Sequence, residues 1–373
     1  MAKTATVYGA NAAGLSAALR LKNLGYEVTV VDADPAQSRN RFERDGFVFD
    51  MKDTFFTLPA VYRDLFLKTG GPLEESIGLL PLDDACRVEF EDGTHFMIPG
   101  ASPARMSLAI SESLGTAAGT EWAKYLQTAA DIWDEQRQNW DLGDHVLDLS
   151  FKDSRLQSLV EAFALLQGRD PRRTPQAFSS HIYMLSQFGS WHIKGGLNQL
   201  TRALHDRAIE RGVTITSTQS ETVSDVVVNA QSVEAPQVSQ LHAFVAIEGK
   251  SRGLNHHNIW IDEDVVIYLC RPEDDSMHPQ DREAWNLRVI ARRGQSLSSN
   301  SALIPQALQR ITSEFVGDSA AILWVEEVAP TESDDRPVPH QTHIVGGNYR
   351  LGLGLPFDGQ SAELLAAKLR SQN

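Results

Sequence analysis

The stretch that decides the fold opens the chain: Thr4-Ala5-Thr6-Val7-Tyr8-Gly9-Ala10-Asn11-Ala12-Ala13-Gly14-Leu15, running on to Tyr26-Glu27-Val28-Thr29-Val30-Val31-Asp32. Residues 4–8 read as a short strand. Gly9 to Gly14 reads as a tight turn, after which Leu15, Ala18, Leu19 and Leu21 recur near helical spacing. Gly25 suits a left-handed helix end. Residues 26–31 are rich in β-branched side chains and end in Asp32, so they read as a second strand. The whole is a βαβ unit with an acid at the tip of its second strand. Gly9 permits the strand-to-helix turn, and Gly14 lets the helix lie close to the strand. Asn11, Ala12 and Ala13 lie in this turn, which leads into a helix whose free N–H groups and positive dipole end suit a pyrophosphate. Asp32, followed by Ala33, is placed to accept hydrogen bonds from ribose hydroxyls. A dinucleotide site is the expectation, with a βαβ unit built on a merely structural glycine turn as the alternative. Asn11 stands where the G-x-G-x-x-G pattern has its middle glycine. Asparagine tolerates left-handed backbone better than most residues, so the turn can form while the phosphate approach is altered.

The rest of the composition narrows the class. Lys and Arg number 34 against 49 Asp and Glu, a net charge of −15, which argues against nucleic acid as partner. Apolar residues make up 42% of the 373, enough for buried cores in two or three domains. Two cysteines, Cys86 and Cys270, exclude a disulfide framework and fit a reducing cytoplasm. No apolar run reaches the roughly 18 residues of a membrane span. Residues 1–9 lack the pattern of a signal peptide, so a cytoplasmic location is expected. P-loop and G-x-S-x-G motifs are absent. His256-His257 invites a metal, but neighbours on a strand point to opposite faces, so none is expected. Trp122, Tyr125, Leu126, Ala129, Ile132 and Trp133 form an apolar helical stripe, read as core, with a tunnel wall or membrane-touching face as the sharper alternative. Phe55, Phe56, Leu58, Val61, Tyr62, Leu65 and Phe66 pose the same choice.

Further motifs follow in order: Asp45-Gly46-Phe47-Val48-Phe49-Asp50; Gln167-Gly168-Arg169-Asp170-Pro171; Phe188-Gly189-Ser190-Trp191-His192-Ile193-Lys194-Gly195-Gly196; Asp225-Val226-Val227-Val228-Asn229-Ala230; and Val345-Gly346-Gly347-Asn348-Tyr349 through Gly352 and Gly354 to Pro356. In this order and spacing the chain resembles the phytoene desaturase-like (carotenoid desaturase) family of FAD-dependent oxidoreductases, grouped with amine oxidases and protoporphyrinogen oxidases. The resemblance implies an α/β fold: a Rossmann-like FAD/NAD(P)-binding domain with an inserted α+β substrate domain. The first would comprise residues 1–80, 186–250 and 336–373, the second 81–185 and 251–335. It implies FAD as cofactor, an apolar isoprenoid-like substrate, hydride transfer to flavin and peripheral membrane contact, with Gly346, Gly347 and Gly354 in the last flavin loop. It designates no catalytic residue.

The departures from the family pattern cluster at glycines. Ser38, Arg39, Asn40, Met51, Lys52, Asp53 and Arg350-Leu351 occupy glycine-bearing motifs, and the chain is shorter than usual, with only about nine residues between the strands near 214 and 226. Arg39 or Arg41 would supply compensating charge to the pyrophosphate. A non-redox binding or partner protein that keeps the fold but has weakened or lost FAD binding is the competing reading. An FAD enzyme for a small amine or porphyrinogen is a third.

Overall fold

The computed structural model describes residues 3–32, 41–51, 55–136, 145–218, 224–231, 236–298, 302–317, 321–329, 342–346 and 355–372. The chain begins β1 (Thr4–Tyr8), α1 (Ala12–Asn23), β2 (Glu27–Val31), β3 (Arg41–Arg44), β4 (Phe47–Asp50) and α2 (Ala60–Thr69). It continues through β5 (Leu79–Leu82), β6 (Asp84–Phe90), β7 (His95–Pro99), α3 (Pro103–Leu114), α4 (Thr116–Gln136), α5 (Ser154–Leu166) and α6 (Ser179–Phe188). Next come β8 (Ser190–Ile193), α7 (Asn198–Glu210), β9 (Thr214–Thr216), β10 (Val226–Asn229), β11 (Gln240–Glu248), β12 (His257–Ile261) and β13 (Val265–Cys270). The last elements are β14 (Arg282–Ala291), α8 (Leu303–Phe315), β15 (Ala321–Glu327), β16 (His343–Ile344) and α9 (Leu355–Ser371).

Two sheets organise these elements. The first has strand order β16-β10-β1-β2-β9, and its pairings are parallel. The second has order β15-β11-β14-β13-β12-β6-β7 and is antiparallel except where β12 runs beside β6. This is the α/β class expected from sequence. The expected strands near 4–8, 26–31, 214–216 and 225–230 all lie in the first sheet. A parallel sheet needs helical cover on both faces. Here α1 packs against α7 and α9, and its alanine-rich, almost wholly buried surface lets all three approach closely. The one long polar side chain on that buried stretch, Arg20, is answered by Asp64 at 3.4 Å and Glu363 at 3.5 Å.

The sequence reading carries the dinucleotide-binding segment on to residue 250, yet β11 hydrogen-bonds into the second sheet between β14 and β15. The reason is its uninterrupted buried run Ala243–Ile247, which needs apolar cover on both faces. Trp122, Leu126, Ala129 and Trp133 on α4 are buried, as are Phe56, Leu58, Tyr62, Leu65 and Phe66, so these residues are core, while Phe55 lines an apolar recess described below. The Gly-Phe-Val-Phe-Asp motif forms β4, whose Phe49 stacks on Phe244 of β11 at 4.8 Å and meets Trp324 edge-on at 5.6 Å. The motif thereby fastens the β3–β4 hairpin to the second sheet.

His242 on β11 gives the fold a measurable acid sensitivity. Its Nε2 lies 2.6 Å from Asn286 Oδ1, and burial, with Arg288 nearby, pushes its pKa down to about 4. The unfolded chain binds this proton near pH 6.5 and the folded chain only near 4. Stability therefore falls as pH drops through that window, by up to roughly 1.4 kcal/mol per pH unit from this group. Denaturation midpoints of wild type and His242→Gln between pH 7 and 4 check this: the variant should show the shallower slope.

Candidate dinucleotide site

The β1–α1 turn is as tight as its glycines predict. Gly9 has φ +104°, and its N–H donates to Val31 O at 2.9 Å. An ideal Cβ on Gly14 would sit 1.9 Å from Gly9 O, so only glycine fits there. Asp32, just past β2 and 5% exposed, accepts the Ala10 N–H through Oδ2 at 2.6 Å. The acid thus grips the turn from the neighbouring strand. Ala12 and Ala13 begin α1 at this point and are buried. The first N–H groups of a helix have no intrahelical acceptor, and the helix dipole adds partial positive charge there.

Asn11 does not use the left-handed tolerance anticipated for it. It is the N-cap of α1 in extended backbone, φ −83° and ψ −179°. Its Oδ1 accepts the Gly14 N–H at 3.0 Å, and its Nδ2 donates to Ala230 O at 2.6 Å. The side chain therefore fixes the turn to the end of β10 and takes one of the donors that an anion would otherwise use. Asn11→Gly should tighten FAD binding about tenfold by releasing that donor, while lowering stability by about 1 kcal/mol through the lost Ala230 bond. Fluorescence titration with FAD and thermal melting check the two halves, and equal affinity in variant and wild type would contradict the first.

The end of the chain returns to this turn. Gly346, φ +103°, is so close that a Cβ on it would lie 3.1 Å from Ala13 Cβ. Ser361 of α9 accepts the Gly346 N–H at 2.9 Å. Gly9, Asn11, Ala12, Ala13, Gly14, Asp32 and Gly346 are thus brought together. Arg41 lies on β3, paired with Glu43 and donating to Gly195 O at 3.3 Å, and so serves the Gly195-Gly196 loop. Ala33, Arg39, Gly347 and Gly354 lie outside the described residues.

Sequence reasoning assigned no role to three residues that shape this region. Asp50 accepts from Leu197 N at 2.8 Å and Asn198 N at 3.3 Å, closing the N-terminus of α7 with a carboxylate. A Cβ on Gly196 would meet the Asp50 carboxylate at 2.9 Å, which explains the glycine pair without a ligand. Asp274 accepts from Gly195 N at 2.7 Å and lies 2.8 Å from His192 Nε2. Its hydrogen bonds, with Ser276 foremost, hold its carboxyl far below the usual range despite burial. Ser361 is the third. Only Asp50 sat in a recognised motif; the others are joined by long-range contacts that spacing does not encode.

Beside the start of α9 lies a small, partly open recess of about 30 Å³, walled by Phe55, Phe163, Phe178, Ile182, Leu185 and Phe357, with Thr57, Gln167 and His181 as its polar lining. His181 is sandwiched between Phe178 at 4.7 Å and Phe357 at 4.0 Å. The expectation that His256 and His257 point to opposite faces is not met. His256 precedes β12 rather than lying in it, and the two rings stand 4.6 Å apart.

Residues 12–220, more than half of the chain, match the family described as flavin containing amine oxidoreductase. The chain is 28% identical to an all-trans-zeta-carotene desaturase of Myxococcus xanthus over 56% of its length and 45% of that protein's. It is 26% identical to a phytoene desaturase (neurosporene-forming) of Cereibacter sphaeroides over 54% of its length and 44% of that protein's. The chain spans about half the length of the curated relatives it matches. A solved oxidoreductase from Methanosarcina mazei shares the fold at a TM-score of 0.62 and 13% identity, covering 98% of this chain and 100% of its own. The chain belongs to the flavin containing amine oxidoreductase family, and FAD is the cofactor that this membership indicates. The residues fit that group on its adenosine side: a glycine turn too tight for a Cβ, a helix N-terminus, and a buried acid at the end of β2.

Proposed function

We propose that this chain is an FAD-dependent oxidoreductase that removes hydride from an apolar, isoprenoid-like substrate. The observation that carries the reading is one helix serving two places. The first turn of α9 walls the apolar recess through Pro356 and Phe357, while Ser361, about a turn later, holds Gly346 beside the dinucleotide turn. Bound flavin supplies the two-electron acceptor for a hydride leaving carbon. The chain's own residues orient and exclude water. Gly9, Gly14 and the start of α1 cradle the pyrophosphate, Asp32 holds the ribose, and the phenylalanine walls keep the reacting carbon dry.

The lining chemistry favours a hydrocarbon over an amine. None of the residues lining the recess is a carboxylate, so an ammonium group would lose its hydration there without an opposite charge, which is costly. The desaturase names of the relatives support the same choice. No helix among the described residues is long and apolar enough to cross a membrane; the apolar character of the proposed substrate is what points to uptake at a membrane surface through peripheral contact. The test is anaerobic bleaching of the FAD-loaded protein. Polyene precursors in lipid vesicles should reduce the flavin and short diamines should not; reduction by diamines alone would overturn the proposal.

A further inference from the structure

A second group of side chains lies away from the dinucleotide turn. His257 opens β12, and Cys270 ends β13 directly opposite it in register. Cross-strand partners project from the same face of a sheet. His256 folds back over this pair from the segment before β12. One ligating atom from each of His256, His257 and Cys270 lies within 4.8 Å of the others. Tetrahedral zinc with bonds of about 2.0–2.3 Å needs ligand atoms roughly 3.3–3.8 Å apart. The set is therefore within about an ångström of closing, a distance that side-chain rotation covers.

The chemical states also suit a metal. Cys270 is a thiol, not part of a disulfide, and is 3% exposed. His257 Nδ1 lies 2.8 Å from Tyr268 Oη, which fixes the ring and leaves Nε2 for coordination. Two neighbours tune the charge. Arg271 is neutralised by Glu283 at 3.1 Å and by Glu273. The Asp274 carboxylate is held one ring away, through His192, whose ring stands 5.0 Å from that of His256.

We propose that His256, His257 and Cys270 form a site for a single zinc ion. The donor set is two imidazoles and one thiolate, and the half-buried His256 side leaves a fourth position for water or another small ligand. Nitrogen and sulfur donors select zinc over magnesium or calcium. Binding converts the Cys270 thiol to thiolate and releases its proton to solvent. Phe55 packs tilted against His257, ring centres 4.2 Å apart, and also lines the apolar recess, so an ion here would sit one ring behind the recess wall. The site requires no flavin.

The test uses the full chain, loaded with zinc and dialysed against metal-free buffer, with zinc counted by mass spectrometry and flavin content recorded separately. Wild type should retain close to one zinc per chain. Cobalt added instead should give a thiolate-to-cobalt charge-transfer band in the difference spectrum. Cys270→Ser should lose the band and weaken zinc binding by about tenfold or more. Zinc should raise the melting temperature of wild type but not of Cys270→Ser. If Cys270→Ser does not fold, His256→Gln, altered at the half-buried ligand, serves in its place. Failure of wild type to retain zinc, or equal retention by wild type and the ligand variant, would overturn the site.

Discussion

Replacing Gly14 with alanine is expected to destabilise the protein by about 3 kcal/mol, the upper end of what overpacking costs. The Cβ would sit 1.9 Å from Gly9 O, a backbone atom that cannot swing aside as a side-chain tip can. Relief requires lifting α1 from β1, and α1 is held between α7 and α9 by a buried, alanine-rich surface. The melting temperature should fall by about 4 °C, and FAD uptake should fail with it because the turn opens. Gly25→Ala is the control. Gly25 also has a positive φ, +87°, but nothing lies within 4 Å of its added Cβ, so only backbone strain of about 1–2 kcal/mol is added. Equal losses in the two variants would show that the turn is not sterically closed.

Asp32→Ala should weaken FAD binding tenfold to a hundredfold. A hydrogen bond to a charged group contributes about 1.5–3 kcal/mol, which converts to that range. The carboxylate also accepts the Ala10 N–H at 2.6 Å, so the variant should lose some stability as well, about 1–2 kcal/mol for a buried donor left without its acceptor. Asp32→Asn separates the two effects: its amide oxygen keeps an acceptor for Ala10 while the charge is gone. Titration with FAD, set beside melting curves of both variants, checks the pair. Wild-type affinity in Asp32→Ala would place the ligand elsewhere than across this βαβ unit.

What sequence alone revealed was local. Gly9, Gly14, Gly25 and the strand ending at Val31 are punctuation within thirty residues, and each acts through its own backbone angle or a neighbour a few positions away. The strand at 226–229 was legible for the same reason, as a short β-branched run. Asn11 was recognised as a departure, but its part as a cap depends on Ala230, 219 residues away. Asp274 acquires meaning only beside Gly195 and His192, and Ser361 only beside Gly346. The His256–His257 geometry turned on a single-residue strand boundary, which fixes whether neighbours diverge or converge. Residues 240–248 were counted with the dinucleotide-binding segment through the resemblance alone; their continuous apolar run signals burial on both faces and says nothing about the sheet that β11 joins.

The central claim, that this chain is built to hold FAD, is tested most directly by the visible absorbance spectrum of purified full-length protein after incubation with FAD and removal of the excess. We predict a flavin spectrum corresponding to close to one FAD per chain, with the bands shifted from those of free FAD by the protein environment. A colourless protein that retains no flavin while showing a cooperative melt would contradict the claim, since it would leave a folded glycine turn, a capped helix and a buried acid without the cofactor they are argued to bind.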